Sequence, residues 1–113
     1  MVTKKLGSQT AALSDPPSIA GFANVVGKKE GEGPLADFFD YVAPDDSFGE
    51  STWEKSESTM QKHAMNLAMQ KAGVSAAEVD WLFAGDLLNQ CIGSSFAARD
   101  GYDHSSCQWS PVI

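Results

Sequence analysis

Three polar side chains that could bind a ligand follow a short apolar run of the sequence. The run covers residues 81–84, and Gly85 separates it from Asp86, Asn89 and Gln90. Glycine lets the backbone turn or approach a neighbour closely. In open α/β sheets, ligands bind just beyond the carboxyl ends of the strands. The pattern therefore predicts a functional loop directly after a strand.

The apolar run itself is typical of a strand that is buried on both faces. Its sequence, Trp-Leu-Phe-Ala, does not alternate with polar residues, and turn-forming residues bound it. A strand with no solvent-facing side has no reason to alternate. We therefore predict a central strand over residues 81–84 in an α/β fold.

A long helix precedes this strand. Ser51 and Glu54 have the spacing of a capping box, and Gly73 is a natural left-handed terminator. We predict a helix over residues 51–72, with apolar residues recurring near helical spacing at Trp53, Met60, Ala64, Leu67, Ala68 and Ala72. Residues 75–78 form a second capping box for a single turn that leads into the strand.

The first fifty residues carry weaker signals. Residues 1–17 are predicted to be a flexible leader that ends in a helix-breaking Pro-Pro pair, and residues 18–23 a weak strand. Residues 27–33 are rich in glycine and charge and are predicted to be a flexible loop. They are not expected to bind phosphate, because the phosphate-loop pattern is absent. Pro34 suits the start of a short helix, whose predicted buried face comprises Leu35, Phe38, Phe39 and Val42.

Composition limits the classes of function. The 113 residues allow one domain at most, and 42% hydrophobic residues suffice for a folded chain. A net charge of −7 argues against nucleic acid or anionic lipid as a direct partner. Because no long apolar run or export signal is evident, we expect an intracellular protein with no membrane span.

Isolated residues with reactive side chains favour structural roles. Cys91 and Cys107 lack metal-ligand spacing and are expected to be thiols in a reducing compartment. His63 has no second ligand at helical spacing, which favours an exposed or satisfied histidine. We interpret Met60, Met65 and Met69 as packing residues. No cofactor is indicated, and the identity of any metal ligand is left open.

Several short segments together resemble the stage V sporulation protein AD family. They are residues 31–35, 39–40, 53–54, 84–90 and 97–99, of which 84–90 is the most specific. The resemblance covers residues 18–100, and Lys28 departs from it where family members tend to have proline. It implies the opening part of a thiolase-like αβαβα domain, incomplete here. Residues 101–113 do not match the family and are predicted to be a disordered tail.

The family resemblance also implies a function. Members of the family are noncatalytic and take part in moving dipicolinic acid, as its calcium complex, into the developing spore. The implied partners are dipicolinic acid or calcium dipicolinate and the other stage V sporulation A membrane proteins, and the full-length family implies a homodimer. The implied location is peripheral, at the forespore or spore inner membrane. Asp86, Asn89 and Gln90 would then line the ligand pocket, although each could instead cap or tie down the local backbone.

Three classes of function remain compatible with the sequence. The chain could be a ligand-binding sporulation protein, a fragment of a thiolase or ketoacyl-synthase type acyl transferase, or an inactive fragment. The family's nucleophile-bearing turn has no match here, and the three-residue spacing of His104 and Cys107 carries little information. We therefore expect no enzymatic activity and interpret the chain as a truncated form. Its monomer is predicted to be marginally stable, with an unpaired edge on the 81–84 strand.

Overall fold

The computed structural model describes residues 3–85, 88, 91–101 and 108–111. Six strands and three helices occupy these residues. The strands are β1 Thr3–Leu6, β2 Thr10–Leu13, β3 Val25–Val26, β4 Tyr41–Val42, β5 Trp81–Ala84 and β6 Gln108–Pro111. The helices are α1 Lys28–Gly31, α2 Trp53–Ala72 and α3 Ile92–Gly101, and Ala36–Phe38 and Ala76–Glu78 form short 3₁₀ turns. The predicted α/β class is confirmed.

The strands pair two by two. β1 and β2 form an antiparallel hairpin within the predicted leader, and Gly7 takes a left-handed φ of 74° in its turn. β3 and β4 are parallel, with Val25 opposite Tyr41. β5 and β6 are also parallel, with Trp81 opposite Gln108. β6 thus lies in the segment that the sequence predicts to be a disordered tail.

Helix α2 ends where the sequence predicts but begins later. Gly73 closes the helix with a left-handed φ of 69°, as expected. The predicted capping box of Ser51 and Glu54 is wrong. Thr52 is the N-cap, because its extended backbone directs its hydroxyl to accept a hydrogen bond from the Lys55 N–H at 3.2 Å. The second predicted capping box, between Ser75 and Glu78, is confirmed.

Three predictions for the first fifty residues, of a strand, a helix and a loop, are wrong. The strand expected over 18–23 lies at Val25–Val26, because parallel pairing with β4 places it there. The helix expected after Pro34 is a single 3₁₀ turn followed by β4, and Leu35 and Phe38 are exposed. Residues 28–31 form a helical turn instead of a loop. In each case the local sequence preference is weak, and contacts with other parts of the chain determine the structure.

The best-buried residues are small. Cys91, Ser94, Ala97 and Ala98 lie in α3 or directly before it, and α3 packs on α2; of the other two, Ser56 of α2 donates to the Asp46 carbonyl, and Ala43 follows β4. Small side chains let two helix backbones approach closely, but each buries little apolar area. The packing of the two helices places the start of α3 against α2.

The location of β5 is predicted correctly, but its burial is not. Trp81 and Phe83 are 61% and 66% exposed, on the same face of the strand, whereas Leu82 and Ala84 are half-buried. The Trp81 and Phe83 rings stack nearly in parallel, with centroids 6.2 Å apart. The expectation of burial on both faces fails because, in the described part of the chain, β6 is the strand beside β5 and no element covers the Trp81 face.

Candidate functional site after β5

The candidate site is the connection between β5 and α3. The strand ends at Ala84, and α3 begins at Ile92, so the connection covers residues 85–91. The predicted ligand-binding residues Asp86, Asn89 and Gln90 lie outside the described residues. The structure describes the residues on either side of the loop and their contacts with α2, which together form the frame around the loop.

Helix α2 contacts both ends of this connection. The Gln61 side-chain amide donates to the Gly85 carbonyl at 3.4 Å, at the end of β5. The Ser58 hydroxyl donates to the Gly93 carbonyl at 2.8 Å, in the first turn of α3. Because Ser58 and Gln61 are three residues apart, they lie on one face of α2. One helix face therefore sets the distance between the end of the strand and the start of the next helix.

Glu57 lies beside the first turn of α3 as well. A methyl group placed on Gly93 would come within 2.7 Å of the Glu57 Oε2 atom. A side chain at position 93 would therefore require the Glu57 carboxylate to shift. The carboxylate also lies near the positive end of the α3 dipole, where a negative charge is favourable.

Cys91 turns the chain into α3. Its φ of 67° is left-handed, which is uncommon for a residue with a side chain. Its carbonyl accepts hydrogen bonds from the Ser95 N–H at 3.0 Å, the Ser95 hydroxyl at 2.6 Å and the Ser94 hydroxyl at 3.1 Å. Cys91 is 5% exposed and is not part of a disulfide. This burial agrees with the structural role that the sequence favours for Cys91.

Hydrogen bonds with structural roles lower the pKa values of two carboxylates, those of Asp40 and Glu78. The Lys71 ammonium donates to Asp40 at 2.6 Å, and this bond, with one from the Asn24 N–H, lowers the pKa of Asp40. Hydrogen bonds from the Ser75 N–H and hydroxyl lower the pKa of Glu78. The Asp40 carboxylate links Lys71 of α2 to the Asn24 backbone, whereas the Glu78 carboxylate caps its own 3₁₀ turn. Both lie outside the 85–91 connection.

His63 contacts an aromatic ring on another element. Its ring lies 4.1 Å from that of Tyr41, centroid to centroid, at an angle of 49°. This contact agrees with the interpretation of His63 as a satisfied residue. Residues 3–85, 88, 91–101 and 108–111 contain no group of three or more His, Cys, Asp or Glu side chains that could hold a metal ion. Within the same residues, no helix is long and apolar enough to cross a membrane.

Sequence reasoning missed α3 and the α2 residues that hold the loop. A usable signal was present, because Gly93, Ser94, Ala97 and Ala98 recur at spacings of one and four and place small residues on one helix face. Glu57, Ser58 and Gln61 gave no comparable signal, since polar residues on a helix usually face solvent.

Comparison with known proteins identifies relatives of the chain. The sequence model of the family described as stage V sporulation protein AD matches residues 7–102. The stage V sporulation protein AD of Bacillus subtilis is 33% identical over 96 residues, which are 85% of this chain and 28% of that protein. The chain thus spans under a third of the length of this relative. The family match begins earlier than the expected 18–100 range and includes the β5–α3 connection.

Proposed function

We propose a role in binding dipicolinic acid, starting from the fact that the chain belongs to the stage V sporulation protein AD family. The ligand would be dipicolinic acid as its calcium complex, and the role would be its uptake into the developing spore. The observation that carries the proposal is the position of residues 86–90 within the family match and directly after β5. The carboxyl ends of strands are where α/β folds bind ligands.

The chemistry of the ligand suits the residue types in this loop. Free dipicolinate offers acceptors and negative charge, so the Asp86 carboxylate would repel it. Calcium changes this, because it takes about 6 to 8 oxygen ligands and a pyridine dicarboxylate leaves some of them to the protein. Asp86 could supply a carboxylate oxygen, while the Asn89 and Gln90 amides donate to carboxylate oxygens of the ligand.

The frame around the loop supports a preformed site. Gln61 and Ser58 hold its two ends from one face of α2, and Cys91 is buried at its end. A loop whose ends are held in place loses less conformational entropy when it binds a ligand. This arrangement needs no covalent chemistry, and we infer a binding protein that is not an enzyme.

The implied assembly is also part of the proposal. The full-length protein would work with the other stage V sporulation A membrane proteins, as a homodimer held peripherally at the forespore or spore inner membrane. It would present the calcium complex to those partners. The comparisons support a sporulation role for the family as a whole.

The test uses a full-length family member. Dipicolinate binding is measured by calorimetry with and without calcium, for substitutions at the positions that align with Asp86 and Asp80. Asp86→Asn should weaken binding about tenfold when calcium is present, in line with the loss of one carboxylate ligand. Asp80→Asn, which removes the same charge at the other end of β5, should leave the affinity unchanged.

Two results would count against the proposal. If Asp86→Asn binds calcium dipicolinate as tightly as the unsubstituted protein does, Asp86 is a structural residue. If both substitutions weaken binding equally, the effect is one of overall charge and the loop has no specific role. Circular dichroism of each variant separates a loss of binding from a loss of the fold.

A further inference from the structure

A cavity opens at the carboxyl end of β4, and its lining shares no residue with the β5–α3 connection. Its volume is about 280 Å³, and the residues around it include Tyr41, Asp45, Phe48, Thr59 and His63. Tyr41 belongs to β4, and Thr59 and His63 belong to α2. The cavity therefore lies where the strand end and the helix meet.

Three aromatic rings line this cavity. The Tyr41 and His63 rings are in contact, 4.1 Å apart, and Phe48 joins them in the lining. All three side chains are half-buried, so each ring keeps part of its surface accessible. Phe48 has a left-handed φ of 53°, which is costly for a bulky residue. The faces of phenyl and phenol rings carry negative electrostatic potential and attract cations.

Asp45 is the acidic residue in the cavity lining, and it is exposed to solvent. The Oδ1 atom of Asp45 accepts hydrogen bonds from the Ser47 hydroxyl at 2.7 Å, the Ser47 N–H at 2.8 Å and the Gly49 N–H at 3.4 Å. These bonds, the Ser47 hydroxyl first, lower the pKa of Asp45, so the carboxylate stays ionised at neutral pH. These hydrogen bonds restrain the carboxylate at the turn of residues 45–49, and Asp45 and Gly49 both line the cavity.

We propose that this cavity binds a small organic ammonium ion, such as a quaternary trimethylammonium group. Aromatic faces beside a carboxylate form the arrangement that recognises such cations. An anionic ligand would be repelled by Asp45 and by the chain's net charge of −7. A bare metal ion would find one carboxylate among aromatic groups, too few oxygen ligands for a hard cation. The site is separate from the β5 loop and does not depend on the function proposed for it.

The test compares a cation with its neutral isostere. Choline and 3,3-dimethylbutan-1-ol, which has carbon in place of the nitrogen, are titrated into the 113-residue chain while the ring resonances of Tyr41 and His63 are followed by NMR. Choline should shift these resonances with a saturable curve and bind roughly tenfold more tightly than the alcohol. Equal affinities would overturn the proposal, as would the absence of a choline-dependent shift at tens of millimolar.

Two substitutions assign the binding to the cavity. Asp45→Asn keeps an oxygen that can accept the turn's hydrogen bonds but removes the charge, and it should weaken choline binding roughly threefold to tenfold. Phe48→Gly removes one ring and suits the left-handed backbone, so it should lose binding while the chain keeps its fold.

The control is Asp80→Asn, which removes one negative charge outside the cavity lining. It should leave choline affinity unchanged. If Asp80→Asn weakens binding as much as Asp45→Asn does, choline responds to net charge and the proposal fails. It also fails if Phe48→Gly, with an unchanged circular dichroism spectrum, binds choline as well as the unsubstituted chain does.

Discussion

The contact between α2 and α3 and the open face of β5 differ in what they bury. At the helix contact, small residues such as Ser94 and Ala97 are 1% and 2% exposed. On the strand, Trp81 and Phe83 are more than half exposed. The described part of the chain thus hides its small residues and exposes several of its largest apolar ones. Hydrogen bonds from α2 fix Gly85 and Gly93, on either side of the candidate loop, whereas burial of large side chains contributes little there.

This difference predicts where the structure tolerates change. Ala97→Leu should lower the free energy of unfolding by about 2 kcal/mol, because extra carbon atoms at a close helix contact force the helices apart. Urea unfolding followed by circular dichroism measures the change. Phe96→Leu is the matched control. Phe96 is 47% exposed, so its substitution should change the free energy by less than about 1 kcal/mol, chiefly through loss of the contact between its ring and the Arg99 guanidinium. Equal losses of unfolding free energy for the two variants would mean that the α2–α3 contact is not closely packed at Ala97.

A second close approach lies at the other end of α2. A methyl group on Gly21 would come within 2.9 Å of the Ala68 carbonyl oxygen and the Ala72 nitrogen. Backbone atoms of a helix cannot move aside cheaply, so Gly21→Ala should cost about 1 to 2 kcal/mol in the same unfolding experiment. Gly33→Ala meets its nearest neighbour at 3.3 Å and should cost less. A stabilising effect of Gly21→Ala would contradict the close packing of Gly21 on α2.

Substitutions at the start of α2 should have a smaller effect on the free energy of unfolding, and the neighbouring Ser51 provides a matched control. Thr52→Ala removes the hydroxyl that accepts from the Lys55 N–H, and it should cost about 1 kcal/mol of unfolding free energy. Ser51→Ala, at the residue that the sequence pattern favours as the cap, should cost much less. The reverse order would place the start of the helix at Ser51 after all.

These cases indicate which parts of the fold can be predicted from sequence. The predictions of β5 and of the end of α2 are confirmed, because a run of apolar residues and Gly73 are local signals that no distant contact overrides. The helix expected after Pro34 fails because pairing between β3 and β4 takes Tyr41 and Val42 into a strand. Burial of β5 fails for a related reason, since it depends on what covers the strand and the strand's own sequence does not specify that.

The position of the candidate loop was predictable, but its supports were not. The loop after β5 follows from the strand and from Gly85. Ser58 and Gln61 of α2 hydrogen-bond to Gly93 and Gly85, on either side of the loop, and these partners are 35 and 24 residues away in the sequence. The sequence does not distinguish a polar helix residue that hydrogen-bonds to another element from one that faces solvent. The assignment of ligand-binding roles within residues 86–90 stays a prediction, because Asp86, Asn89 and Gln90 lie outside the described part of the chain.

The smallest expected effect is a dependence on pH. Asp40, Asp45 and Glu78 have pKa values below their ordinary values of 3.8, 3.8 and 4.5. A lowered pKa means that the unfolded chain binds more protons, so these groups stabilise the fold above those ordinary values and lose that contribution as the pH falls through the lowered ones. Lys71→Met removes the ion pair with Asp40 and should flatten the acid side of the stability curve.

The matched control for this effect is Lys62→Met, which makes the same change in charge elsewhere on α2. Thermal unfolding between neutral pH and about pH 3 compares the variants. If both lysine substitutions flatten the curve equally, the pH dependence reflects net charge and the Asp40 contact contributes nothing specific.

Binding of calcium dipicolinate by the connection between β5 and α3 can be tested by hydrogen–deuterium exchange of a full-length family member, with the ligand added or absent. The ligand should slow exchange in the peptide that aligns with residues 85–91, while the segment aligned with the β1–β2 hairpin should stay unchanged. Saturating ligand that protects other segments and leaves this connection at its original exchange rate would contradict this proposal.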